Sequence, residues 1–167
     1  MRDGVLTKGS GPLRYNEPIT FGRLGSAKDL SGSGIEFDED GHGSWTTAPV
    51  AELEFSLGFA KQDLLLQLEA NPFVIPEQIP QQKIFVFLNG LFVGYCAIRS
   101  RAVKQFNVNR GIISSRNTRL ALVIPTAVSP QSLGLSEDIR ELGLYITFIK
   151  FSVEHGGDKE TDGPRGE

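Results

Sequence analysis

The sequence has one cysteine, Cys96, so an intramolecular disulfide is impossible and folding does not depend on one. Cys96 sits within a β-rich run where a small hydrophobe fits, which predicts packing, not reactivity. Histidine is almost as scarce: His155 lies in a polar C-terminal stretch, so a Ser–His–Asp or Cys–His site would have to use His42. There is no G-x-S-x-G elbow, no H-E-x-x-H, no C-x-x-C and no phosphate-binding G-x-x-x-x-G-K-[ST]. A hydrolase built on two carboxylates needs no sequence spacing and stays open. Nowhere do about 18 apolar residues run together, and Met1 to Ser10 carries no signal-like apolar run. The chain as encoded is therefore expected to be cytoplasmic and not membrane-spanning, or extracytoplasmic if excised from a larger protein.

Acidic residues are missing from positions 78–136, where Lys83, Arg99, Arg101, Lys104, Arg110, Arg116 and Arg119 stand alone. Two readings fit: an anionic partner such as an acidic polysaccharide, or edge-strand protection and pairing with the more acidic N-terminal half. Residues 154–167 account for the whole net charge of −3, and the rest of the chain balances. A domain that is not basic overall is a poor nucleic-acid binder.

What is present points to β structure. The chain has 167 residues, 40 % apolar and 22 % charged, enough for one domain with a real core. Residues 1–15 read as a flexible arm, 16–153 as the domain and 154–167 as a disordered acidic tail. Leu53, Phe55 and Leu57 alternate with Glu52, Glu54 and Ser56, and Leu64, Leu66, Leu68 and Ala70 with Leu65, Gln67 and Glu69. Period two marks strands with one buried face. Ile84–Leu88 and Leu91–Tyr95 flank Asn89-Gly90, the pair that a type I′ hairpin turn favours. Ile19–Leu24, Ile35–Phe37, Val103–Val108, Arg119–Ile124 and Leu144–Val153 complete eight or nine short strands. Ser136 and Gly143 predict one short helical turn over Asp138–Leu142. No helix of ten residues is visible, so the expected class is all-β, an antiparallel sandwich of jelly-roll type.

The densest polar cluster is Glu36-Phe37-Asp38-Glu39-Asp40-Gly41-His42-Gly43-Ser44-Trp45. Its acids and carbonyls suit Ca²⁺, with Asp38 and Asp40 as first candidates, although the spacing is not that of an EF-hand. Its acids and Trp45 suit a sugar, through hydrogen bonds and ring stacking. The plainer alternative is a solvated loop with Trp45 as a core anchor. Asp138 and Arg140 suit a ligand grip or a loop tie.

The run from Trp45 to Phe151 resembles a β-sandwich domain of bacterial surface-polysaccharide proteins, often appended to glycosyltransferases. The matching pieces are Gly43-Ser44-Trp45, Ala51-x-Leu53-x-Phe55, Ala70-Asn71-Pro72-Phe73, Gln82-x-Ile84-x-Val86, Leu88-Asn89-Gly90 with Val93-Gly94, and Ser129-Pro130-x-Ser132-Leu133-Gly134-Leu135-Ser136-x-Asp138-x-Arg140-x-Leu142-Gly143. This resemblance implies a galactose-binding-like jelly roll in a setting of glycan assembly or recognition, with no catalytic residue carried over. The first expectation is a non-catalytic, lectin-like carbohydrate-binding module using its end loops. Trp45 would be the platform, Asp38, Glu39 and His42 the hydrogen-bonding groups, and Asn89 and Arg140 rim contacts. The second is an interaction module that docks a protein of polysaccharide synthesis or self-associates. The third is a glycan hydrolase or esterase.

Overall fold

A computed structural model describes residues 13–38, 41–113 and 117–153. Eleven strands are found among them: β1 (Ile19–Thr20), β2 (Ser31–Ser33), β3 (Ile35–Phe37), β4 (Ser44–Thr46), β5 (Val50–Phe55), β6 (Leu64–Pro72), β7 (Gln82–Leu88), β8 (Leu91–Ile98), β9 (Ala102–Val108), β10 (Thr118–Val123) and β11 (Leu144–Val153). They form two antiparallel sheets. One is ordered β3-β4-β11-β6-β9 with β1 also paired to β11, and the other β2-β5-β10-β7-β8.

The alternation in the sequence becomes the division between core and surface. Ala51, Leu53 and Phe55 point inward from β5, while Ile84, Val86 and Leu88 do so from β7. They meet Leu64, Leu66, Leu68 and Ala70 of β6 and Leu144, Ile146, Ile149 and Phe151 of β11 in one core. Inward side chains of β11 switch phase because a bulge falls between Ile146 and Phe148. Asn89 and Gly90 both adopt positive φ, at 50° and 78°, which the two-residue turn between β7 and β8 requires.

Three local expectations change. The helical turn is at Gln131–Leu133, closed by left-handed Gly134, not at Asp138–Leu142. Asp138 is otherwise engaged: its carbonyl accepts from the Gln131 N–H and its carboxylate from the Arg140 N–H, while Leu142 bridges to Val128. Two further single 3-10 turns occur, at Ser26–Asp29 and Arg110–Ile112. The first strand is shorter than Ile19–Leu24, because the Gly25 N–H turns back to the Gly22 carbonyl. Finally, Leu13 and Tyr15, within the expected arm, are joined to the body: the Leu13 N–H bonds the Ser56 carbonyl and the Tyr15 hydroxyl the Gly58 carbonyl. The expected tail, 154–167, lies outside the described residues.

The pairings give the sandwich two distinct ends. At the first, β6 runs out at Pro72 opposite Leu144, and the following loop is tied to the start of β7, where Gln82 Nε2 donates to the Phe73 carbonyl at 2.6 Å. At the second are the Asn89-Gly90 turn, the start of β10 and the last residues of β5, β9 and β11. Gln82 is fully buried, and its Oε1 accepts from the Thr126 hydroxyl at 2.6 Å. Replacing Gln82 by Ala removes the donor to the Phe73 carbonyl and the acceptor of the Thr126 hydroxyl, which keeps only its bond from the Lys83 N–H, so chemical denaturation should show a loss of about 2 kcal/mol.

Candidate functional site

At the first end, on the outer face of the six-stranded sheet, register places four side chains in a row across four strands: Glu36 (β3), Trp45 (β4), Tyr145 (β11) and Asn71 (β6). The pleat explains the direction of Trp45. Its neighbours Ser44 and Thr46 are wholly buried on the inner face, where Ser44 Oγ donates to the Phe21 carbonyl at 2.6 Å and Thr46 Oγ1 accepts from the Leu144 N–H at 2.9 Å. Trp45 must then point outward and is half-buried. Its ring tilts against Tyr145, with centroids 5.2 Å apart, and meets Phe73 edge-on at 6.3 Å.

Arg140 reaches the same place from the loop before β11. Its guanidinium grips Asp138 in a fork, Nε to Oδ1 at 3.0 Å and Nη2 to Oδ2 at 2.7 Å, and its Nη1 lies 3.1 Å from Glu36 Oε2. Together Glu36, Phe37, Asp38, Trp45 and Arg140 line an open cleft of about 490 Å³. Hydrogen bonds from the Arg140 side chain, then from its backbone N–H, hold the Asp138 carboxyl at about 2, below its ordinary 3.8. The same bonds, with those to Glu36, push the Arg140 guanidinium up. Because the folded-state pKa of Asp138 is depressed, the stability it contributes is fully present above about pH 4 and is lost as pH falls toward 2. Loop geometry should therefore be constant from pH 5 to 8. Backbone NMR shifts of residues 136–141 should be flat across that range and move only in acid.

The turn between β3 and β4 is pinned under the row. Tyr145 Oη accepts from the Gly43 N–H at 2.9 Å. Chain passes so close here that a Cβ on Gly43 would stand 2.5 Å from the Ile146 carbonyl oxygen, and one on Gly41 2.4 Å from Asp38 Oδ2. Sequence reasoning thus named Asp38, Trp45 and Arg140, which the fold brings together. It did not select Glu36 and Tyr145, which become neighbours through strand register alone. His42 is exposed and does not line the cleft. Glu39 and Asp40 lie outside the described residues. Asn89 is at the opposite end of the sandwich, where its amide donates to the Ile112 carbonyl and accepts from the Arg119 N–H, so it is no rim contact of this cleft.

Calcium takes six to eight oxygen ligands. Among the described residues no cluster of three or more His, Cys, Asp or Glu is placed to hold a metal, and of the two proposed ligands only Asp38 is described. The described part of the loop does not by itself fit the ion. Two members of the basic run are paired with acids of the N-terminal half, Arg101 with Glu69 and Arg119 with Glu54, while the Arg110 guanidinium donates to the Lys61 carbonyl and its backbone N–H to Asp63. Burial pushes the Cys96 thiol up. No helix among the described residues is long and apolar enough to cross a membrane.

No protein-family model matches the chain, and no curated protein matches it in sequence. Its fold is similar to that of the CBM36-1 domain of a multidomain xylanase from the hindgut metagenome of Trinervitermes trinervoides, with a TM-score of 0.51 at 12 % identity over 83 % of this chain and 98 % of that one. Two further similar structures are a C-terminal CBM6 of a laminarinase from Zobellia galactanivorans (TM-score 0.49, 12 % identity, 82 % and 98 % covered) and a CBM36 module in complex with calcium and xylotriose (0.46, 16 %, 75 % and 96 %). At these identities the likeness speaks to the fold: the chain is an antiparallel β-sandwich of the kind seen in carbohydrate-binding modules.

Proposed function

We propose that this chain is a non-catalytic carbohydrate-binding module that holds a glycan in the Trp45 cleft. One observation carries the reading: a half-buried tryptophan face stands beside an ordered guanidinium–carboxylate set, Arg140 with Glu36 and Asp138, in an open cleft on a rigid sheet. Pyranose rings present an apolar face of C–H groups and an equatorial belt of hydroxyls. Trp45 supplies the stacking surface, while Glu36, Asp38 and Arg140 supply acceptors and donors for the belt. The fold shared with a module of a xylanase makes β-linked xylan the first ligand to try. The resemblance seen in sequence adds bacterial surface polysaccharides and their assembly as the wider setting. Purified protein on a broad glycan array, with and without added Ca²⁺, is expected to bind a restricted set of glycans. Loss of binding without Ca²⁺ would assign a metal to Asp38 and Asp40, and a blank array from folded protein would refute the module.

A second reading rests on a different face. On the outside of the five-stranded sheet Phe85 packs on Tyr95 at 4.9 Å and Phe87 on Phe92 at 5.6 Å, yet Phe92 is 57 % and Tyr95 48 % exposed. Aromatic surface of this kind favours self-association or docking of a protein partner. Mass measured by sedimentation decides between them: a strict monomer that binds sugar removes the self-association arm.

A further inference from the structure

β8 is the outermost strand of the five-stranded sheet, and among the described residues only β7 hydrogen-bonds to it. We propose that β8 pairs with β8 of a second copy of this chain about a two-fold axis, joining the two five-stranded sheets edge to edge. The pairing rests on the self-association reading of the aromatic face and adds to it the strand, the register and the sense of the contact.

A row of unpaired N–H and C=O groups is met by extended backbone, not by a glycan or an apolar surface, so the occupant is a strand. Edges are normally blunted by shortness, charge or a bulge. β2 is three residues of Ser and Gly, β3 is three residues and carries Glu36, and β9 carries Lys104, Gln105 and Asn107. β8 has eight residues, Leu91 to Ile98, with no charge and no proline. Its one blunting device is a bulge: Phe92 faces Phe87 while Gly94 faces Val86, which leaves Val93 over. Pairing is therefore confined to the regular stretch Gly94–Ile98, and the axis passes at Cys96, its centre.

The second copy suits this stretch on three counts. A two-fold axis sets the strands antiparallel, the sense of every strand pairing already in the sheet. A strand laid on itself sets like near like, which charged residues would resist and these do not. Charge complementarity then comes from the flanks. The register puts Tyr95, 48 % exposed and 4.9 Å from Phe85, opposite the small Ala97 of the second copy, beyond which stands that copy's Lys83. Lys83 is exposed and its ammonium has no partner among the described residues, so it can lie over the open face of the tyrosine ring, twice by symmetry. The contact is small beside the about 800 Å² per partner of a stable complex, so dimerisation is expected on the order of 100 μM. Trp45 is on the other sheet, which leaves each copy its own cleft and gives the pair two.

The test combines sedimentation equilibrium with amide hydrogen exchange of the full ¹⁵N-labelled chain, from low micromolar to millimolar concentration. Mass should rise toward the dimer, and the outward amides of Gly94–Ile98 should gain protection with it while those bonded to β7 stay unchanged. Tyr95→Lys, at an exposed position, deletes the ring and sets two ammonium groups across Ala97, so the dissociation constant should rise about tenfold or more. Val103→Lys on the neighbouring β9 edge should change nothing. A strict monomer would overturn both the pairing and the self-association reading. A dimer whose β8 amides exchange at a rate independent of concentration, or that tolerates Tyr95→Lys, overturns the edge pairing alone and leaves a contact through Phe87 and Phe92. Protection already complete in the monomer would mean that the edge is covered within one chain, which also overturns it. Sugar binding at Trp45 is read separately and bears on neither.

Discussion

Trp45→Ala should abolish most glycan affinity, by about 30-fold or more, while leaving the sandwich folded. A buried, well-packed tryptophan at the centre of a contact commonly accounts for about 2 kcal/mol or more of binding. Trp45 has that setting, with its ring braced by Tyr145 and Phe73 and one side open to the cleft. The fold should survive because its strand is held from the inner face by Ser44 and Thr46, which the substitution does not touch. Losing two ring contacts should cost about 1–3 kcal/mol of stability, measurable by denaturation and well short of unfolding a domain of this size. Trp45 is also the only tryptophan in the chain, so its own emission reports the event in the native protein. A ligand seated on the ring should shift and saturate that emission at the concentration where calorimetry gives half-binding. Unchanged emission during proven binding would move the site elsewhere.

How much of this was legible beforehand follows from which physical signals are local. Period-two alternation is local, so β5, β6, β7 and β11 and the Asn89-Gly90 turn could be read directly from the sequence. Caps are local too, but ambiguous. Ser136 and Gly143 look like the ends of a helical turn, and the turn forms instead before Gly134 because Asp138 commits its carboxylate to Arg140. Register is not local. Nothing near Tyr145 says that it lies against Trp45, since β4 and β11 are far apart in the chain, and even between the consecutive strands β3 and β4 the register that sets Glu36 opposite Trp45 is not written in the residues themselves. For the same reason Asn89 could be recognised as a turn residue but not placed at one end or the other. Composition suits the cluster Glu36–Trp45 to a ligand or to a plain solvated loop, and it does not show that Gly41 and Gly43 let the chain pass against Tyr145.

That close passage gives the second large effect, Gly43→Ala. Gly43 needs no unusual φ; it needs the absence of a side chain, because a Cβ would lie 2.5 Å from the Ile146 carbonyl oxygen and 2.7 Å from Tyr145 Cε1. The oxygen is backbone inside the β4–β11 pairing and has little freedom to move, while the ring can shift only by leaving Trp45. Relief therefore requires the turn to back away, which breaks the bond from the Gly43 N–H to the Tyr145 hydroxyl and tilts Trp45 at the same time. Overpacking of this kind costs about 1–3 kcal/mol, and the lost hydrogen bond adds about 1 kcal/mol. The sum is large against the total stability of a domain of this size, and denaturation should show the midpoint falling clearly. Binding should fall with it even at temperatures where Gly43→Ala is still folded, because the tryptophan face and the Asp38 carboxylate are displaced together. Tyr145→Phe separates the two effects. It removes the hydroxyl without forcing the turn outward, so it should lose only the hydrogen-bond increment in stability and keep nearly all of the affinity. Equal damage from both substitutions would mean that the hydroxyl, and not the space at Gly43, sets the position of Trp45.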